Sequence, residues 1–229
     1  STQNPRLPPH AAHTARAGVN ASVRSRWLVY VTLAEALGFC VPASVGALLA
    51  KLHASQGLEL MPLCAAGAVE GLLLGLGQAL AWPVRLNVRR YALLTSVGAA
   101  LAWASIMGVV QLGSVPSVPA PVVAVCGVLA GLIALASVGC AQWLELRRRV
   151  ARAHRFIGWT ALAWLVALPI SFAPSPFVDE TTPLGWVVAL WSASGLLMAF
   201  VMALITWKGV GSILSDSDHS GSNLFREVV

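Results

Sequence analysis

Long apolar runs separated by short polar turns dominate the chain. Six such runs predict transmembrane helices, because about 20 residues at ~1.5 Å each cross the ~30 Å hydrocarbon layer; the fifth run is short for a crossing. The predicted spans are residues 27–50, 60–83, 91–112, 120–144, 156–173 and 184–207. The flanking segments 1–26 and 209–229 are polar, and we expect disordered tails there. The predicted fold class is an all-α integral membrane protein.

Small residues recur at helical spacing in the even-numbered runs, with a period of 64 residues. A polar residue follows each stripe three positions later. The pattern predicts three parallel helical-hairpin repeats. Since small residues let helix backbones approach closely in lipid, we expect the even helices to form an inner ring, with the odd helices outside. The stripes are Gly67, Gly71 and Gly75; Gly131, Leu135 and Gly139; and Gly195, Ala199 and Ala203, followed by Gln78, Gln142 and Thr206.

The positive charge is distributed unevenly between the turns. Of the 15 Lys and Arg residues, all but Lys51 fall in the two tails and in the turns after the second and fourth spans. Cytoplasmic loops of membrane proteins carry an excess of Lys and Arg. The sequence therefore predicts that both termini are cytoplasmic, a result that also requires an even number of spans.

The composition excludes several classes of protein. The chain is 57% hydrophobic and 10% charged, whereas soluble domains carry about 25% charged residues. The net charge of +6 comes from short turns between spans, so a nucleic-acid partner is not expected. The four cysteines lie in apolar runs without CxxC spacing, and the histidines lack metal-ligand spacing, so neither a disulfide nor a metal site is predicted. No nucleophile motif is present, and we expect no enzyme activity.

Two carboxylates interrupt the predicted spans. Glu70 lies near the middle of the second span, and Glu35 lies in the first. Acidic residues within the membrane are often proton or cation sites, although a protonated carboxyl can also serve packing alone. Glu70 aligns with Ala134 and Met198 of the other repeats, so a site that uses it breaks the threefold pattern. Gln78 and Gln142 are either hydrogen-bonded to each other or part of a narrow polar mouth.

Tryptophans and arginines give two further hypotheses. Most tryptophans fall near span ends, as in an aromatic belt, but Trp103, Trp164 and Trp191 lie deeper. These three either pack between helices or contact a pigment or quinone, and no cofactor is predicted. The basic turn after the fourth span either fixes topology or also contacts anionic lipid. Its arginines are Arg147, Arg148, Arg149, Arg152 and Arg155.

One segment carries a resemblance to other proteins. The residues Gln142-Trp143-Leu144-Glu145-Leu146-Arg147-Arg148, followed by Trp159 and by Ala161-Leu162-Ala163-Trp164, resemble the pattern of a group of small uncharacterised bacterial multi-pass membrane proteins. In that group a Gln-Trp-x-x-Leu-Arg-Arg motif closes one helix and an aromatic-rich helix follows. Ala141 stands before the glutamine here, without the group's glycine. The resemblance implies location in the bacterial inner membrane and no catalytic activity.

Three functions are open at this point, of which an intramembrane or lipid-modifying enzyme has the least support because no nucleophile or base pair is recognisable. The dense small-residue faces and short loops favour a structural or accessory subunit that packs in the bilayer against other membrane subunits or a second copy of itself. The alternative is a small transporter or channel, coupled to protons or cations, that uses Glu70 and Glu35.

Overall fold

A computed structural model describes residues 9–53, 56–179 and 181–224. Six long helices and no strand are found in these ranges, and each helix contains a segment long and apolar enough to cross a membrane. The chain is therefore a multi-pass, all-helical membrane protein. The helices are α1 (Pro9–Lys51), α2 (Gln56–Ala81), α3 (Val88–Gly113), α4 (Ala120–Leu146), α5 (Arg155–Ser171) and α6 (Leu184–Leu224), with a single 3-10 turn at Ser175–Phe177.

The first and last helices extend beyond the predicted spans. α1 begins at Pro9 and α6 continues to Leu224, so residues 9–26 and 209–224 are helical where the sequence predicts disorder. A helix that is already nucleated extends at little cost, because each added residue gains a backbone hydrogen bond. The rest of both predicted tails, residues 1–8 and 225–229, lies outside the described residues.

The six helices form a closed ring. Within the described residues each helix packs closely against its neighbours in sequence, and α6 packs against α1. No two even-numbered helices pack along their lengths in this way, so the predicted inner ring of α2, α4 and α6 is wrong. The 64-residue repeat and the cytoplasmic location of the termini stay predictions.

The glycine stripes face the odd helices instead of one another. A methyl group in place of the Gly71 hydrogen would lie 2.4 Å from the Ala99 Cβ of α3. At Gly139 it would lie 2.9 Å from the Cα of Ile157 in α5, and at Gly195 the nearest atom belongs to Phe39 of α1, at 3.5 Å. Periodicity identified small positions that contact a neighbouring helix, with the exception of Gly131, but not which helix they contact. Gly67 and Gly75 also face α3, and Ala199 and Ala203 are fully buried.

Aromatic side chains fill the end of the bundle where the arginine-rich turns lie, which we call the arginine-rich end. The Trp27 ring packs edge-on against Trp82, with centroids 5.5 Å apart, and Trp82 packs in the same way against Phe156 at 5.4 Å. The Arg26 guanidinium donates to the carbonyls of Ala81 and Trp82, both at 3.4 Å. These carbonyls end α2 and have no partner within the helix, so Arg26 caps α2 from α1.

The opposite end of the bundle carries an acidic turn before α6. The Asp179 carboxylate accepts hydrogen bonds from the Thr181 backbone N–H at 2.9 Å, the Thr181 hydroxyl at 2.7 Å and the Thr182 hydroxyl at 3.0 Å. These bonds favour the charged form, so the pKa of Asp179 lies below its usual value, with the Thr181 hydroxyl making the largest contribution. The turn thereby fixes the start of α6.

A candidate binding cavity beside Glu70

A cavity of about 370 Å³ lies between α1, α2, α3, α4 and α5, in the half of the bundle away from the arginine-rich end. Its volume falls within the ~300–1,000 Å³ typical of small-molecule sites. The lining is almost entirely apolar. The polar residues of the lining are Glu70 and Ser171, beside the rings of Trp103 and Trp164, so the cavity suits a largely apolar molecule.

Glu70 forms the polar part of the cavity wall. Its side chain is 4% exposed, and its Oε2 accepts a hydrogen bond of 2.9 Å from the Trp103 indole N–H. Gly67 stands one turn before Glu70, and a methyl group there would lie 1.9 Å from the Trp103 ring. The glycine stripe therefore leaves room for the indole that binds Glu70. The glycine stripe and the intramembrane acid were predicted separately from the sequence, and both contribute to this contact.

Glu35 is the second acid of the site. It is fully buried in α1, and neither of its carboxyl oxygens has a hydrogen-bond partner. One turn further along α1, Gly38 lies against the Glu70 backbone, where an added methyl would be 3.1 Å from the carbonyl oxygen. The structure thus brings the two predicted acids together at the α1–α2 interface.

A buried polar network separates the acids from the arginine-rich end. The Gln142 amide donates to Gln78 Oε1 at 2.7 Å and to the Thr95 hydroxyl at 3.4 Å. The same Gln78 oxygen accepts from the Tyr91 hydroxyl at 3.1 Å, and the Thr160 hydroxyl donates to Gln142 Oε1 at 3.4 Å. All five side chains are at most 1% exposed. The network joins α2, α3, α4 and α5 and fills the interior between the cavity and the arginine-rich end.

Thr206 does not join the two glutamines. Its hydroxyl accepts from the Trp27 indole N–H at 3.3 Å and donates to the Met202 carbonyl at 2.8 Å. The Trp27 N–H also reaches the Ala203 carbonyl at 3.2 Å. The third polar position of the stripe therefore joins α1 to α6 and completes the ring.

Glu145 is a buried carboxylate that sequence analysis did not single out. It is 2% exposed, its Oε2 lies 3.2 Å from Arg90 Nε, and its Oε1 accepts the Asn87 backbone N–H at 3.3 Å. These contacts tie the end of α4 to the start of α3. A carboxylate two residues before a run of three arginines is the signal that could have identified it, because a lone acid near basic residues at a span end can form an ion pair with one of them.

The remaining predicted residues lie away from the cavity. Trp191 does not contribute to its lining, whereas Trp103 and Trp164 do. The five arginines of the basic turn are exposed, and the Arg147 guanidinium stacks over the Trp143 ring at 4.8 Å. Contact of this turn with anionic lipid stays a prediction. Within the described residues, no three His, Cys, Asp or Glu side chains group as a metal site would require.

Comparisons with known proteins found no match: no protein-family model, no curated protein and no solved structure matches the chain.

Proposed function

We propose that the protein is a small carrier of the bacterial inner membrane that binds its substrate in the cavity beside Glu70. The observation that carries the proposal is the apolar cavity of about 370 Å³ with this acid in its wall. Carriers hold their substrate near the middle of the membrane at a site reached from one side at a time. The glutamine network and the Trp27–Trp82–Phe156 cluster close one side of this cavity.

The two acids give the carrier a means of coupling to protons. A buried carboxylate without a partner is costly in an apolar environment. We therefore assign a proton to Glu35 in this state, beside Glu70, whose carboxyl group faces the cavity and bonds with Trp103. Movement of that proton with the substrate is the chemistry that this pair supports best.

Proton flux into proteoliposomes tests the proposal. With an inside-negative potassium diffusion potential and an internal pH-sensitive dye, the wild-type protein is expected to acidify the lumen, because part of the proton movement through this pair proceeds without bound substrate, and Glu70→Gln is expected to lose this activity. Glutamine keeps the acceptor for Trp103 but carries no exchangeable carboxyl proton. Glu59→Gln is the matched control, since Glu59 lies on the same helix and does not line the cavity. Absence of wild-type flux would contradict the carrier proposal.

An accessory subunit is the second proposal. The glycine faces that suggested it are largely occupied within the chain, by Trp103 and Ala99 of α3 and by Ile157 of α5. One surface available to a partner subunit or a second copy is the outer face of α4, where Val125, Val128, Leu129 and Leu132 are exposed. Purification in a mild detergent distinguishes the cases: this proposal expects a companion protein or a dimer, and a lone monomer in size-exclusion chromatography with light scattering would contradict it.

A further inference from the structure

Glu70 presents one oxygen without a partner to the cavity. Its Oε2 accepts the Trp103 indole N–H at 2.9 Å, whereas no hydrogen bond to Oε1 is found within the described residues. Unlike the two buried oxygens of Glu35, Oε1 of Glu70 keeps accessible surface. Since Glu70 lines the cavity and is 4% exposed, this oxygen is the acceptor that a bound molecule can reach.

No group of the cavity wall neutralises a negative charge on Glu70. None of the described residues that line the cavity is Lys, Arg or His. Glu35, which lies at the same α1–α2 interface, is a second acid. A carboxylate in an apolar environment is stable only when it is paired with a positive charge or well hydrogen-bonded. The positive charge that the wall lacks would therefore come from a bound ligand.

The rest of the wall distinguishes between kinds of cation. Hard metal ions such as Mg²⁺ and Ca²⁺ take about six or more oxygen ligands, whereas the lining side chains offer only Oε1 of Glu70 and the Ser171 hydroxyl. An organic cation whose charge is enclosed by alkyl or aryl groups requires no such ligands, and aromatic faces attract quaternary cations. The aromatic rings in the lining are those of Phe39, Trp103, Trp164 and Phe172.

We infer that the cavity binds an apolar organic cation, a quaternary ammonium or phosphonium ion, with its positive charge beside Oε1 of Glu70 and its alkyl or aryl groups against the lining. The inference rests on the cavity of the proposed carrier and names its substrate class. Trp103 is a positioning residue in this arrangement, because its N–H holds Oε2 and leaves Oε1 free.

Binding of methyltriphenylphosphonium to the purified chain in a mild detergent tests the inference. A scintillation proximity assay with the radiolabelled cation should show saturable binding. Triphenylphosphine oxide is the matched competitor, since an oxygen replaces the methyl group and the molecule keeps nearly the same shape without a net charge. Because a charge pair is strong in a low-dielectric site, we expect the oxide to compete at least about tenfold less effectively than the unlabelled cation.

Substitutions of Glu70 separate its charge from its place in the packing. Glu70→Gln keeps the acceptor for Trp103 but removes the charge, and we expect the affinity for the cation to fall at least about tenfold. Glu70→Asp keeps the charge on a shorter side chain and should bind the cation more tightly than Glu70→Gln does. Glu59→Gln is the control that should bind as the wild type does, since Glu59 lies on the same helix and does not line the cavity.

Filling the cavity tests the location of the site without a change at Glu70. Ala134→Phe places a ring in the lining from α4 and should abolish binding, whereas Ala124→Phe adds the same ring at an exposed position of α4 and should leave binding unchanged. If Ala134→Phe does not fold, judged by its elution and thermal midpoint, Ala102→Phe fills the same cavity from α3.

Equal competition by triphenylphosphine oxide, or equal affinities of Glu70→Gln and Glu59→Gln for the cation, would overturn the inference, as would the absence of saturable binding by the wild type. The carrier proposal fails separately. Cation binding without proton flux would leave the cation site in place and contradict the carrier. Proton flux that depends on Glu70, without cation binding, would contradict only the substrate class.

Discussion

Gln142 is the residue on which the buried polar network depends, because it bonds at once to Gln78, Thr95 and Thr160. Replacement by leucine removes all three bonds from a dry interior, although Gln78 still accepts from the Tyr91 hydroxyl and Thr95 still donates to the Tyr91 carbonyl. We expect Gln142→Leu to lower the free energy of unfolding by about 1–3 kcal/mol. Intrinsic tryptophan fluorescence during thermal or SDS denaturation would measure the change.

A double-mutant cycle provides the control for this network. Gln78→Leu alone should destabilise as well, and the double variant should lose less than the sum of the two, because the bond between the residues is lost only once. Strict additivity would mean that the two amides act independently.

Single residues show how far the sequence alone could predict the site. Glu70 and Glu35 were identified because charge in an apolar run is conspicuous, and the structure brings them together. Glu145 was missed because the arginines beside it dominate the charge pattern. The Glu70 Oε1 could not be recognised as unpartnered, since that property depends on every atom around it.

At the scale of helices, different glycines of the predicted stripes have different surroundings. A methyl group at Gly75 would lie 2.7 Å from the Ala92 Cα and 2.8 Å from the Thr95 Cβ, whereas Gly131 has open space. We expect Gly75→Ala to force α2 away from α3 and lower the thermal midpoint. Gly131→Ala should leave it unchanged or raise it, since alanine is favoured over glycine within a helix by up to about 1 kcal/mol.

The same denaturation measurement decides between these expectations. Equal losses in both variants would contradict the described spacing of α2 and α3. The six spans themselves could be predicted from hydrophobicity because lipid requires long apolar helices. The helix that packs against each glycine face could not be predicted, because a smooth face fits any neighbouring helix that presents complementary side chains.

At the scale of the whole molecule, the arginine distribution predicts orientation. Alkaline phosphatase fused in the linker at Pro116 should be active, because that linker is expected outside the cytoplasm, and fusions at Arg149 or Val229 should be inactive. Green fluorescent protein at the C-terminus should fluoresce. The reverse pattern would place the arginine-rich end outside and contradict the positive-inside assignment.

The cavity also belongs to this scale, and no sequence pattern indicated it. It depends on side chains from five helices that leave a space unfilled. Periodicity reports which side chains share a helix face. It does not report where neighbouring faces fail to meet.

The bond from Trp27 to the Ala203 carbonyl joins the first span to the last. Membrane helices are synthesised in order, so five spans must wait in the bilayer with the α1 indole exposed to lipid until the sixth arrives. Assembly of this bundle is therefore completed only after α6 has been translated. A ribosome that stops before α6 releases an open bundle, in which the Trp27 indole has no acceptor and the α1 face is uncovered. Membrane quality-control proteases can use these features to distinguish an unfinished chain from a finished one.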